Sequence, residues 1–275
     1  MKSKSRVGPQ SKSRKKGFKA SAASAARAPR APDANSTSRQ ESSLAIALEG
    51  FRLDRHRSYT EQVEHALQAA IVRGRLPPGT ALSEAAISSV LGISRTPARE
   101  ALVLLEDEQL VHIYPQVKSI VAPVRRSLIE EGRFVRSTLE CASHAELVKT
   151  ITQPQIDTLA ALIAAQKAAA RAGDPEAFFK LDEEMHRSMF EFAGRAHVWT
   201  LLEGVKRHFD RVRWLLLERV TYHARRAQKE HEAIMDRLIA RDSAGLSQAV
   251  NHHINAITSH LSELRDRAPE HYFID

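Results

Sequence analysis

The chain has a single cysteine, Cys141, among 275 residues. An internal disulfide framework, cysteine-rich zinc fingers and iron–sulfur clusters are therefore excluded. Aromatic residues make up only 5%, with 11 Gly and 11 Pro. Sheets draw on aromatic and β-branched residues, so this scarcity, beside plentiful Ala and Leu, favours helices. No apolar run approaches the roughly 18 residues that a membrane span needs. The opening Met1-Lys2-Ser3-Lys4-Ser5-Arg6 has no apolar segment behind it and does not read as a secretory signal. The expectation is a cytoplasmic protein of about two domains, with no membrane partner.

Positive charge is concentrated at one end. Residues 1–40 hold six Lys and five Arg against one acid, Asp33, whereas the rest of the chain holds 30 basic and 32 acidic side chains. Residues 1–43, rich in Ser, Ala, Lys and Arg, have little to bury and are expected to form a disordered tail. Such a tail serves either as an electrostatic arm on nucleic-acid phosphates or as a solubilising extension.

Globular composition begins near Leu44. Val63, Ala66, Leu67, Ala70 and Ile71 recur at helical spacing, and Pro77-Pro78-Gly79 marks a turn. Ser83 is a good N-cap for a second helix carrying Ala86, Ile87, Val90 and Leu91, which ends at Gly92. A third helix runs from about Arg95 to Gln109, with Pro97 in its first turn, where a missing N–H costs little. Two β-type runs follow between Val111 and Val121, around a Pro-Gln-Val-Lys tip. Helix, helix, short turn, helix and hairpin make the winged helix-turn-helix plan, spanning 44–125. A generic protein-binding three-helix bundle is the alternative. Against it, Ser94, Arg95, Thr96 and Arg99 gather at the N-terminal end of the third helix, the end that enters a major groove. Arg95 and Arg99 are four apart and share a face, and the Arg fork matches guanine O6 and N7.

Residues 59–124 resemble the DNA-binding domain of the GntR family of bacterial transcription regulators. The resemblance rests on the stretch from Ile71 to Glu84 (IVRGRLPPGTALSE) and that from Leu91 to Leu102 (LGISRTPAREAL). It implies that Arg95 and Arg99 reach the operator and that the wing, with Lys118 near its tip, touches the minor groove or backbone. Departures are Ala85-Ala86, where relatives often carry a basic residue, Gln109, where Gly often precedes the wing, and Lys118, where Gly is usual at the tip.

From Arg126 to Arg267 nearly everything reads as helix, about six helices of 15 to 24 residues. Breaks fall near Thr150–Pro154, Ala172–Pro175, Gly194-Arg195, Val220-Thr221 and Asp242. No repeat length recurs, so this is a bundle and not a solenoid. The fold class is thus mainly α, a winged helix-turn-helix followed by an all-helical domain over 126–267, with a C-terminal tail at 268–275. Asp182 and His186 project together at i, i+4, while His231 and His253 lie on two later helices. Four nitrogen and oxygen ligands from three helices can make a divalent-metal site. Alternatively, these are ordinary surface or interface histidines among 13 in the chain.

Residues 127–265 resemble the FCD domain of the FadR-type branch of the same family. The marks are Leu181-Asp182-Glu183-Glu184-Met185-His186, Glu230-His231-Glu232-Ala233-Ile234 and His253-Ile254. The resemblance implies a metal, zinc or nickel, held by the Asp and three His and helping to hold a carboxylate effector. It also implies dimerisation through this domain. Zinc suits three His and a carboxylate, with nickel or manganese as other occupants. His252 is an alternative to His253. Arg136, in the Arg-x-x-x-Glu of Arg136 and Glu140, together with Arg211 and Arg213, is expected around the effector, because a buried Arg needs an anionic partner. That partner is either a small organic acid or internal carboxylates such as Glu140 and Glu218.

The leading expectation is a non-enzymatic, ligand-responsive transcription regulator, a repressor associated with the nucleoid. It would bind an inverted-repeat double-stranded DNA operator as a homodimer. One rival is a metal-dependent enzyme acting on a carboxylate, with Glu183 or Glu230 as base. Another is a nonspecific nucleic-acid binder working through the basic tail.

Overall fold

The computed structural model describes residues 34–114, 118–219, 223–267 and 272–274. Most of the expected tail, residues 1–33, lies outside them. Its last part is corrected: Ala34–Ala47 forms helix α1, and Leu44, Ala47 and Leu48 are buried in the first core. Burying these apolar side chains gives the segment a reason to order that its Ser/Ala-rich start does not advertise.

Helix α2 (Tyr59–Val72) starts at Ser58, whose side chain accepts from Glu61 N–H. Strand β1 (Ala81–Leu82) leads to α3 (Glu84–Leu91), capped by Ser83 accepting from Ala86 N–H and closed by Gly92 at φ 65°. Only a residue without Cβ takes that left-handed turn freely, which sets up the link to α4 (Arg95–Asp107). Strands β2 (Val111–Tyr114) and β3 (Lys118–Val121) pair antiparallel, with Val111 opposite Val121 and Tyr114 opposite Lys118. The hairpin tip, 115–117, lies outside the described residues. Strand β1 joins the other edge of β3, giving the order β1-β3-β2. Leu67, Ile71, Ile87, Ala98, Leu102, Leu105 and Val121 meet in this domain's core.

Strand β4 (Val124–Arg125) leads into α5 (Arg126–Thr150), α6 (Gln153–Ala172), α7 (Pro175–Phe192), α8 (Ala196–Arg219), α9 (His223–Ile239), α10 (Ser243–Ser259) and the short α11 (Leu261–Arg267). Their limits follow local chemistry. Thr152 and Gln155 form a reciprocal capping box, and Asp174 caps α7 ahead of Pro175. Ile129, Leu147, Leu159, Met185, Phe209, Leu216, Ile234 and Leu246 are among the residues that build the second core. The expected C-terminal tail is corrected as well. Phe273–Ile274 forms β5, parallel to β4, and Tyr272 is buried. Two-residue strands carry too little periodicity to be read from sequence.

Helix α8 is also the seam between the domains. His208 Nε2 lies 3.1 Å from the Glu108 carbonyl, and Arg207 pairs with Glu108 at 2.8 Å. Arg73 and Arg75 both reach Glu176 at the start of α7. No described helix is long and apolar enough to cross a membrane.

Candidate DNA interface and metal centre

Ser94, Arg95, Thr96 and Arg99 are all exposed at the start of α4. Ser94 stands at the N-cap, and its side chain makes no capping bond. Arg99 is held in a fork by Glu84, Nε at 2.8 Å and Nη2 at 3.1 Å from the two carboxylate oxygens. The pairing fixes the direction of the guanidinium, and Glu84 was not singled out by sequence reasoning. Lys118 is exposed where β3 begins.

In the helical domain, α7 supplies Asp182 and His186, α9 supplies His231 and α10 supplies His253. All four are buried, at 4%, 1%, 0% and 3% exposure. A nitrogen or carboxylate oxygen from each lies within 4.8 Å of the others. His252, the alternative, is exposed.

The surroundings fix the ring tautomers. Gln166 donates through Nε2 to the Leu181 carbonyl, which turns its Oε1 toward His231 Nδ1 at 2.6 Å. His231 therefore carries its proton on Nδ1. His253 Nδ1 donates to Glu230 Oε2 at 2.9 Å, and Arg226 steadies the other Glu230 oxygen at 2.9 Å. His186 Nδ1 sits 2.9 Å from Glu140 Oε2. The Nε2 atoms of His231 and His253 are then two lone pairs facing each other at 3.2 Å. Burial holds both imidazoles well below their ordinary pKa, with neighbouring histidines adding to the effect, so neither proton nor charge relieves that approach. His186 Nε2 is buried with no hydrogen-bond partner among the described residues. Burial alone would raise the Asp182 pKa, but the Arg213 guanidinium outweighs it and holds the carboxyl ionised. Arg213 Nη2 bonds Asp182 Oδ2, leaving Oδ1 turned to the histidines at 3.4 Å from His231 Nε2. Three imidazoles, two of them braced from behind by Gln166 and Glu230, and one oriented carboxylate are a donor set that fits a divalent cation.

The three arginines divide. Arg136 is buried, with Nε 2.5 Å from Glu140 Oε1 and Nη2 unpartnered among the described residues. Arg213 is near the cluster but engaged by Asp182, Glu183 and Asp210. Lys206 joins the same network through Glu183 and Asp210. Arg211 is a correction, since its Nη2 donates to the Ala122 carbonyl at 2.8 Å on the seam with the DNA-binding domain. Residues two apart point to opposite sides of a helix, so Arg211 and Arg213 cannot serve one site. Burial pushes the Arg211 guanidinium down to about 10. Gln166 was missed, although the signal was present: it is the one polar member of the α6 stripe Ile156, Leu159, Ile163, Gln166, Ala169.

A winged helix-turn-helix joined to a helical bundle with a buried Asp/His cluster defines a class, the bacterial regulators that join a DNA-binding domain to a helical one. Residues 59–121 match the family model of bacterial regulatory proteins, gntR family, and residues 132–256 match that of the FCD domain. An HTH-type transcriptional regulator in an unstable DNA locus of Streptomyces ambofaciens is 31% identical over 210 residues, covering 76% of this chain and 87% of that one. The HTH-type transcriptional repressor RspR of Escherichia coli (strain K12) is 29% identical over 205 residues, covering 74% and 90%. The solved structure of E. coli McbR/YncC shares the fold at a TM-score of 0.64, with 22% identity over 77% of this chain and 99% of that one. The chain belongs to the gntR family of transcription regulators and carries a C-terminal FCD domain.

Proposed function

We propose that the protein is a transcriptional repressor that binds an inverted-repeat operator as a homodimer and responds to a small carboxylate held beside a divalent metal, zinc by preference. The observation that carries the reading is the convergence of Asp182, His186, His231 and His253 inside a chain whose other domain exposes Arg95, Thr96 and Arg99 at a helix start. When bound, the metal supplies a Lewis-acidic point for a carboxylate oxygen. The chain's own residues supply the rest. Asp182 lowers the charge of the site, Gln166, Glu230 and Glu140 hold the imidazoles, and Arg136 offers its free Nη2 to an anion. On the outside, Phe134 of α5 and Leu201 and Val205 of α8 are exposed at 64%, 61% and 44%. The two helices pack together, so these side chains suit a second copy, which would present two recognition helices to the two half-sites.

In the DNA-binding domain, Ser94, Arg95, Thr96 and Arg99 enter the major groove and Lys118 contacts the backbone beside it. Capture and sequencing of genomic fragments on the purified protein gives the operator. On that operator Arg99→Ala should cost about 1–3 kcal/mol, the worth of a bidentate base contact, while binding to unrelated DNA changes less. Unchanged preference in competition gel shifts would place recognition elsewhere.

A further inference from the structure

The start of α5, the end of α10, α11 and β5 border a cavity of about 410 Å³ that shares no residue with the metal cluster. Arg126 at its rim precedes Arg136 by ten residues on α5, about 15 Å at 1.5 Å per residue. The volume falls within the roughly 300–1,000 Å³ of small-molecule sites. One side of the cavity is apolar. Ile129 is buried, Leu261 and Phe273 pack against the second core, and Ile274 remains 39% exposed. Pairing of β5 with β4 holds Phe273 and Ile274 in place.

Most of the polar side is already engaged. Glu130, the one lining carboxylate among the described residues, is held by Arg133 at 2.7 Å. Asn255 accepts from Arg133 at 2.6 Å and donates to Asn251 at 3.2 Å. The hydroxyls of Thr258 and Ser259 donate to the carbonyls of Asn255 and Ala256, at 2.9 and 2.7 Å. Arg126 differs: it is exposed and makes no ion pair or hydrogen bond among the described residues. A cation in the first turn opposes the helix dipole, so the formation of α5 does not account for it. Arg265 brings a second guanidinium from α11. A guanidinium beside an apolar wall matches a molecule with a hydrocarbon body and a negative head, because the fork pairs with an oxyanion through two parallel bonds. We propose that this cavity binds a small amphipathic anion, its ring or alkyl chain against Ile129, Leu261, Phe273 and Ile274 and its head group on Arg126 and Arg265.

Two matched pairs test this on metal-loaded, full-length protein by titration calorimetry: naphthalenesulfonate against naphthol, and hexanesulfonate against hexanol. Sulfonates are weak ligands for divalent metals, which keeps the metal centre out of the reading. At least one sulfonate should bind once per chain, about tenfold or more tighter than its neutral partner, the worth of a charge-assisted hydrogen bond. Arg126→Gln should shrink that ratio severalfold, and Ile274→Ser should weaken both members of the pair. Both variants replace exposed side chains, so the circular dichroism of the protein should not change. Chelation of the metal should leave the ratio as it was. The inference is overturned if neither sulfonate binds, or if both pairs bind equally. A ratio unchanged by Arg126→Gln, affinities untouched by Ile274→Ser, or a ratio lost on chelation with the circular dichroism intact would each overturn it too.

Discussion

Gln109 takes its meaning from the backbone turn it occupies. In this chain Gln109 closes α4 at φ 57°, in the left-handed region. Its N–H reaches the Glu106 carbonyl at 2.8 Å, and the next residue, Leu110, is fully buried, so the turn is fixed by its surroundings. A residue with a Cβ is strained there by about 1 kcal/mol, and its Oε1 recovers little through one exposed contact with Arg125. Gln109→Gly should therefore stabilise the DNA-binding domain by about 0.5–1 kcal/mol. Urea unfolding followed by circular dichroism checks it, and a loss of stability would mean that the Arg125 contact matters more than the strain. Residue-scale logic also separates Arg211 from Arg213. Both are buried arginines of α8, yet at a 200° offset one belongs to the seam and the other to the cluster.

At the scale of elements, legibility tracks length and punctuation. The limits of α6 and α7 follow from Gly173, Asp174 and Pro175, and α3 follows from Ser83 and Gly92, because these residues act through local geometry alone. Asp182 and His186 were readable as a pair for the same reason, being one turn apart on a long helix. Their braces were less so: Gln166 and Glu230 become partners only when α6, α7, α9 and α10 pack. The β4–β5 pair joins residues about 150 positions apart and leaves no periodic trace. Helix α1 was lost to composition, since only its last turn is apolar. Leu44 is buried at 1% exposure against the first core. Leu44→Ala should cost about 2–5 kcal/mol. The expected result is a lower urea midpoint for the DNA-binding domain with α5–α10 unaffected. A cost near zero would show that α1 contributes nothing to that core.

For the molecule as a whole, metal content and acid stability should be linked through the same buried rings. Burial pushes His144, His208 and His223 down to about 4, and lowers His231 and His253 well below the ordinary value. An unfolded chain takes up these protons near 6.5. The stability tied to neutral histidine is therefore complete above pH 6.5 and is lost as pH falls from 6.5 toward 4, where the folded form begins to protonate too. A metal bound between α7, α9 and α10 stabilises the folded form further by mass action, but only through neutral imidazoles. Purified protein should contain one divalent ion per chain by elemental analysis. Chelation should lower the melting temperature at pH 7.5, and the gap between loaded and chelated protein should narrow as pH drops below about 6.5. The pair His186→Ala and His231→Ala should remove the ion and blunt the response to a carboxylate, while operator binding stays largely intact because Arg95 and Arg99 sit on a separate core. An ion content unchanged by that double substitution would sink the metal assignment. A gap that does not vary with pH would instead place the ion on oxygen ligands, away from the three imidazoles.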